Sequence, residues 1–331
     1  MSQATAPPHR FSISAGRDDR PANTLGRARG RRFRPLAAFS LLTALTALSC
    51  TRAEDPAATA PNRQSVDVGG YKLTLLTRGQ GTPTVVIEPG MGLAAVESDE
   101  WTVVCEEIAK TNRVCLYDRA GLGTSDPAPT RPRTSQDIAR DLHALLINAK
   151  VPGPYVLVGH SIGGLNVRVF ADLYPDEVAG VVLVDVTHPD QESKWLASLP
   201  AESPEELPAL KKSRELLTSR LERGSDNPDG MDVVTSREQV RSTSTLGDKP
   251  LAVLTHSPDW KMVPDLPDAI LKPLEQISQD LQASLPALST NSSHKVAKKA
   301  GHAIHLDEPS LVIEAVREVL EKANGNTAKL R

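Results

Sequence analysis

Cysteine is scarce: Cys50, Cys105 and Cys115 are the only three in 331 residues. That is too few for the disulfide framework of a small secreted domain. Cys105 and Cys115 either pair in an oxidising compartment or sit as two buried thiols. A membrane-spanning helix needs about 20 apolar residues. The uncharged stretch 35–49 has fifteen and is interrupted by Pro35, two serines and two threonines, so it is too short to span. A net positive charge is missing from the main body of the chain. Residues 1–34 hold eight arginines against two aspartates, so the formal −3 of the whole leaves about −9 on residues 50–331. A surface of that sign repels phosphate backbones and argues against nucleic acid as a partner. There is no G-x-x-x-x-G-K-[ST], no G-x-G-x-x-G after a strand, and no His or Cys pair at metal spacing. Nothing therefore implies a cofactor or a metal.

The basic segment followed by a short apolar run has the form of an export leader over residues 1–49. Leu48-Ser49-Cys50 resembles the lipobox at which bacterial lipoproteins are cleaved and acylated, although Ala47 stands three residues before the Cys. Arg31-Arg32-Phe33 is loosely like a twin-arginine signal. The expectation is an exported protein, periplasmic or membrane-anchored through a lipidated Cys50 or a retained leader, with plain secretion as the alternative. A basic tail on a cytosolic enzyme is the remaining reading. Residues 50–64, rich in Ala, Pro and polar side chains without a period, read as a tether, and folded structure is expected from Ser65 to residue 331. The 282 residues after the leader suit a single large domain.

The sequence VDVGGYKLTLLTRG alternates apolar and polar residues around Gly69-Gly70, the signal of an antiparallel hairpin. Short apolar runs follow (TVVIE, RVCLYD, YVLVGH, GVVLVDV, LAVLTH) with helical stretches between them. That is how a mostly parallel, doubly wound sheet covered on both faces appears in sequence, so the fold class is α/β. Thr134 and Asp137 form a capping pattern before a stripe of Ile138, Leu142, Leu145 and Leu146. Pro309 opens a last helix that Asn324-Gly325 is expected to close. About sixty residues, 188–249, carry no strand signal. They include Ser203-Pro204, a suitable cap and first position for the charged amphipathic stretch that follows, and read as a helical lid inserted into the sheet connections.

Gly159-His160-Ser161-Ile162-Gly163 is G-x-S-x-G between a strand and a helix, the context of a nucleophile elbow. A turn that sharp needs neighbours without bulk, which Gly159 and Gly163 supply. It pushes the Ser161 oxygen out at the carboxyl end of the sheet, where open α/β folds bind ligands. The helix that follows adds unpaired N–H groups and its positive end, both favourable to a developing oxyanion.

From Val66 to Leu320 the chain resembles the α/β-hydrolase superfamily in four blocks that occur in the family's order. GHSIGG matches the nucleophile block, IEPGMG falls where the family keeps its oxyanion loop, YDRAGLGTSD resembles the loop after the next strand, and AGHAIHLDEP resembles the histidine block. The resemblance implies an α/β-hydrolase fold and a Ser-His-Asp triad. His302, on a tight Gly301 loop before the closing helix, is the candidate base, with His305 as runner-up; His160 reads as packing. Two aspartates compete for the acid. Asp185 ends the strand VVLVD, where some members, dehalogenase-like ones among them, keep theirs; Asp259 follows LAVLTH at the commoner position, but in an atypical Pro-flanked stretch. Asp185 is favoured, with Asp259 as the alternative. The implied oxyanion donors are the backbone N–H groups of Ile162 and Met91, the latter in a Glu88-Pro89-Gly90 loop that departs from the frequent His-Gly form. Asp118, Arg119 and Ser125 are expected to brace loops and do no chemistry.

The expected activity is hydrolysis of a small-molecule carboxylic ester through an acyl-enzyme on Ser161. Amide (aminopeptidase-like) or carbon-carbon bond hydrolysis is the closest enzymatic alternative. A ligand-binding or sensor protein that kept the fold without turnover is the alternative of a different class.

Overall fold

The computed structural model describes residues 61–329. The expected leader 1–49, the lipidation candidate Cys50 and the tether up to residue 60 lie outside the described residues. The tether is shorter at its far end than expected, because strand β1 (Asn62–Asp67) already begins at Asn62 rather than near Ser65. Residues 62–64 pair there with Leu75–Thr77 of β2 (Lys72–Arg78). A polar edge strand with one solvated face carries little apolar signal, so composition alone reads it as linker. Asp67 accepts from the N–H groups of Gly69 and Gly70 at 2.9 and 3.1 Å, and both glycines have positive φ, which closes the β1–β2 hairpin.

The other strands are β3 (Thr84–Glu88), β4 (Val114–Tyr117), β5 (Tyr155–His160), β6 (Val178–Val184), β7 (Leu251–Thr255) and β8 (Ser292–Val296). They form one sheet in the order β1-β2-β4-β3-β5-β6-β7-β8. The pairs β1–β2 and β2–β4 are antiparallel and the rest parallel. Strands β3, β4, β5 and β7 are buried along their whole length, which is why they appear in sequence as unbroken apolar runs.

Helices α1 (Thr102–Ala109) and α9 (Pro309–Lys329) cover one face, and α2 (Ser135–Asn148) and α3 (Gly163–Leu173) the other. Thr134 and Asp137 close a reciprocal capping box on α2, and its expected stripe is buried. Helix α9 does not stop at Asn324-Gly325 but runs to Lys329; a Gly inside a helix costs only about 1 kcal/mol against Ala and need not end it. Cys115 packs in the α2/α3 layer and Cys105 in the α1/α9 layer, and both are free thiols. The sheet between them excludes the disulfide that the sequence left open, and burial pushes both thiols up to about 12. Among the described residues, no helix is long and apolar enough to cross a membrane.

Between β6 and β7 lie α4 (Gln191–Ser198), α5 (Pro208–Glu222) and α6 (Val233–Arg241), within the expected lid. Helix α5 starts at Pro208 and not at Pro204, with no side-chain cap. The lid is also not one insertion. Helix α7 (Asp268–Ser284), between β7 and β8, joins it: Leu266, Leu271 and Leu274 pack with Trp195, Leu199, Leu210 and Leu217 in a separate apolar cluster. The Trp195 indole N–H donates to the Leu274 carbonyl at 3.1 Å. Helix α6 leaves the cap and packs on the body, where Val233 and Val240 are buried in the α2/α3 layer and Ser236 accepts from the Ser135 N–H.

Candidate active site

Strand β5 delivers Ser161 into the left-handed region at φ 54°, and helix α3 starts two residues later. A non-glycine residue holds that conformation at a cost of about 1–3 kcal/mol, and only where its surroundings over-determine it. Three glycines provide those surroundings. A side chain at Gly159 would fall within 3.0 Å of the Gly163 carbonyl and the Gly164 Cα, and one at Gly163 within 2.3 Å of the Glu88 carbonyl. At Gly164, a position without a role in the sequence analysis, it would strike Val186 at 2.3 Å. The turn is tied down by the Ser161 N–H donating to Val184 and the Ser161 carbonyl accepting from Thr187.

His302 lies on the loop between β8 and the short helix α8 (Ile304–Asp307). The loop is fixed by its own carboxylates: Glu308 accepts from the N–H groups of Lys299 and Ala300, and Asp307 from that of Gly301. The His302 ring donates from Nδ1 to Asp185 Oδ2 at 2.6 Å. His302 and Ser161 line the same cavity of about 240 Å³, and no hydrogen bond joins the Ser161 hydroxyl to Nε2. In free enzymes catalytic hydrogen bonds are often long and tighten with substrate.

The two candidate acids have different settings. Asp185 is 5% exposed at φ 43° at the end of β6. Burial alone would raise its pKa, but hydrogen bonds from His256 and His302 outweigh it and hold the carboxyl far below the usual range. Asp259 is exposed in a turn. Its N–H donates to Ser257 Oγ, and its carboxylate has no partner among the described residues. The structure brings Asp185 to His302 and does not bring Asp259 there. The neighbour from that stretch that does approach His302 is Trp260, whose indole fills the space where Gly301 lacks a side chain and lies 6.3 Å from the His302 ring.

His305 is stacked on Trp101 at 4.1 Å, away from Asp185. His160 is buried, and its Nε2–H donates to the His302 carbonyl at 3.0 Å. Burial, then the neighbouring histidines, push its pKa well below 6.5, so the ring is neutral and braces the base loop from below.

On the other side of Ser161 the loop 89–92 approaches so closely that a side chain at Gly90 would lie 3.5 Å from Ser161 Cβ. Met91 and Ile162 line, with Ser161, a second cavity of about 250 Å³. Neither backbone N–H meets a protein acceptor among the described residues. Arg119 sets the direction of the first. Its guanidinium donates to the carbonyls of Pro89 at 2.9 Å and Gly90 at 2.6 Å, to Glu88 at 3.1 Å and to Asp229 at 2.9 Å. In a trans peptide the C=O and N–H point opposite ways, so holding the Gly90 carbonyl turns the Met91 N–H away from Arg119. Asp229, from the α5–α6 connection, also accepts from the Gly92 N–H at 2.8 Å. Burial would lower the pKa of Arg119, but Asp229 and Glu88 raise it. Asp118 and Ser125 hold backbone N–H groups of Val96 and Thr74 and have no contact with the triad candidates.

Sequence reasoning assigned no role to His256 and Glu275. His256 Nδ1 lies 2.6 Å from Asp185 Oδ1 and its Nε2 2.9 Å from Glu275 Oε1, both within hydrogen-bond distance. The signal for it was slight: a histidine directly after the apolar run of β7, next in the sheet to the strand that carries Asp185.

Residues 83–226 match the family model for the alpha/beta hydrolase fold. The uncharacterised protein YqjL of Bacillus subtilis is 28% identical over 242 residues, which cover 73% of this chain and 85% of that protein. A probable transporter, efuK of Hormonema carpetanum, is 35% identical over 127 residues, 36% of this chain, and the match spans only 18% of the transporter's length. Among solved structures, a thermophilic esterase from Thermogutta terrifontis is similar with a TM-score of 0.52 and 23% identity, covering 79% of this chain and 99% of the esterase. The chain has the α/β-hydrolase fold.

Proposed function

We propose that this chain is a serine hydrolase of small carboxylic esters, with Ser161 as nucleophile, His302 as base and Asp185 as the acid that orients it. The observation that carries the reading is the 2.6 Å hydrogen bond from His302 Nδ1 to the buried Asp185 carboxylate, in a cavity that also holds Ser161. With Nδ1 carrying the proton, Nε2 keeps a lone pair for the Ser161 hydroxyl proton. Oγ attacks the ester carbonyl, the oxyanion is met by the N–H groups of Met91 and Ile162, and the proton passes from Nε2 to the leaving alkoxide. Water, deprotonated by the same ring, then releases the acid.

The charges around the first cavity favour an ester over an aminopeptidase substrate. A peptide amino terminus needs a free carboxylate, and all three that line this cavity are engaged: Asp185 by two histidines, Glu192 by Arg237 at 2.6 Å, Glu275 by His256 and Gln279.

A fluorophosphonate probe tests the reading. Native protein is expected to label, Ser161→Ala to stay unlabelled, and short nitrophenyl esters to be turned over only by the former. A native protein that neither labels at pH 8 nor turns over any of a series of esters, amides and lactones leaves the non-catalytic binding protein as the reading.

A further inference from the structure

Asp185 is shared. Each carboxylate oxygen takes one ring N–H, Oδ2 from His302 and Oδ1 from His256, and Oδ1 also accepts the His256 backbone N–H at 3.2 Å. The far nitrogen of His256 faces Glu275 on α7, and Glu275 is held in turn by Gln279, whose amide also donates to the His256 carbonyl. The ring is buried, 5% exposed, with the edge of Trp260 packed against it at 5.0 Å. The charged groups that face it are Asp185 from β6 and Glu275 from α7, with His302 beyond Asp185; Gln279 and Trp260 complete the surroundings.

Both ring nitrogens of His256 lie within hydrogen-bond distance of a carboxylate oxygen, and a carboxylate only accepts. A neutral imidazole has one N–H and one lone pair, so it satisfies one carboxylate and sets its lone pair against the other. The arrangement therefore calls for an imidazolium. Resting on the triad reading above, we propose that His256 is a positioning residue that, as an imidazolium, fastens cap helix α7 to the triad acid, so that one proton holds the cavity closed.

The consequences have a definite sign. Burial would lower the pKa of His256, but its hydrogen bonds to Asp185 and Glu275 raise it to about 9. The clasp is thus complete at neutral pH and is lost as pH rises through about 9. When the proton leaves, the Nδ1–H that meets Asp185 at 2.6 Å is retained over the longer contact to Glu275, so α7 is released first. Loss of the cap contact weakens substrate binding while the His302–Asp185 pair stays intact, so KM changes and kcat does not.

The direct test is nitrogen NMR of the His256 ring in Ser161→Ala protein, which needs no turnover. Two protonated nitrogens at pH 7, titrating near pH 9 and at lower pH in Glu275→Gln, are expected; a ring with a single N–H at pH 7 overturns the proposal. In the native enzyme, after correction for spontaneous hydrolysis, KM is expected to rise about fivefold between pH 9 and 10 as the competent fraction falls. Glu275→Gln should bring that rise to lower pH, and His256→Gln should abolish it. Profiles of both variants that superimpose on the native one after scaling overturn the proposal. Failure of the serine-hydrolase reading is distinguishable, because it leaves no turnover to profile and no probe labelling while the ring spectrum is still read.

Discussion

Ser161 is flanked by two charge networks, and they differ in what carries the positive charge. On the oxyanion side an arginine joins Glu88 of β3 to Asp229 of the α5–α6 connection. On the base side two histidines join Asp185 of β6 to the loop after β8 and to Glu275 of α7. Each ties the sheet to residues inserted between its strands. A guanidinium stays charged across the working pH range, whereas an imidazole gives up its proton within it. The oxyanion side is thus a fixed frame for a backbone N–H that must point one way throughout the reaction. The base side is built from groups that exchange protons, as the proposed mechanism, which moves a proton twice per turnover, would require.

The largest effect is expected from removing charge on the base side without changing shape. Asp185→Asn presents an amide that no longer selects the Nδ1–H tautomer of His302, and loss of the acid in a serine triad costs about 10⁴-fold in kcat. Asp259→Asn, altering an exposed carboxylate without a partner, is expected to leave kcat within twofold of the native value. Paired measurements on a short nitrophenyl ester check both. A large loss in Asp259→Asn alone would show that the acid is not Asp185.

On the oxyanion side, Arg119→Met leaves Glu88 and Asp229 buried without their cation, and breaking such a pair costs about 3–5 kcal/mol of stability. Urea unfolding is expected to show that loss, larger at pH 8 than at pH 6, because burial already raises the pKa of Glu88 and removing its cation raises it further, so the orphaned carboxyl takes up a proton as pH falls. Arg119→Lys retains the charge but not the fork that grips the Pro89 and Gly90 carbonyls together. It is expected to fold and to lose kcat by up to about 100-fold, the scale of one oxyanion donor. If instead Arg119→Lys keeps full kcat, the guanidinium does not aim the Met91 N–H and the two networks do not differ in the way argued.

How much of this was legible in the sequence follows from how far apart the partners are in the chain. The elbow could be read because Gly159, Ser161 and Gly163 meet within one turn, and strands β3 to β7 because burial on both faces leaves unbroken apolar runs. The pairing of Asp185 with His302 spans 117 residues and depends on β6, β7 and β8 lying side by side, so the sequence could favour one aspartate but not bring it to the ring. Helix α7 was not read as part of the cap for a similar reason. Its apolar stripe is clear, but nothing in a stripe says that Leu271 and Leu274 will meet Trp195 and Leu199 from a different insertion. The left-handed backbone at Asp185 was also illegible, because its cause is the packing around it and not its neighbours in sequence.

A second arginine extends the comparison from buried to exposed charge. Arg220, on α5, lines both cavities where they meet at Ser161, Thr187 and Glu192. Its guanidinium donates to no protein acceptor among the described residues, unlike that of Arg119. With the carboxylates of the first cavity already engaged, the charge it offers a substrate is positive, so an ester bearing a carboxylate should be preferred to a neutral one of equal length. Arg220 is exposed, and exposed pairs contribute about 0.2–1 kcal/mol. The expected preference in kcat/KM for a hemisuccinate over the matching neutral ester is therefore at most about fivefold and as little as about 1.4-fold. Arg220→Ala should remove it, and so should high salt, which shortens the reach of exposed charges to about 3 Å at 1 M. The Arg119 frame, sealed from solvent, should be indifferent to the same salt, so a salt series on Arg220→Ala and Arg119→Lys side by side separates the charge that meets the substrate from the one that only shapes its site.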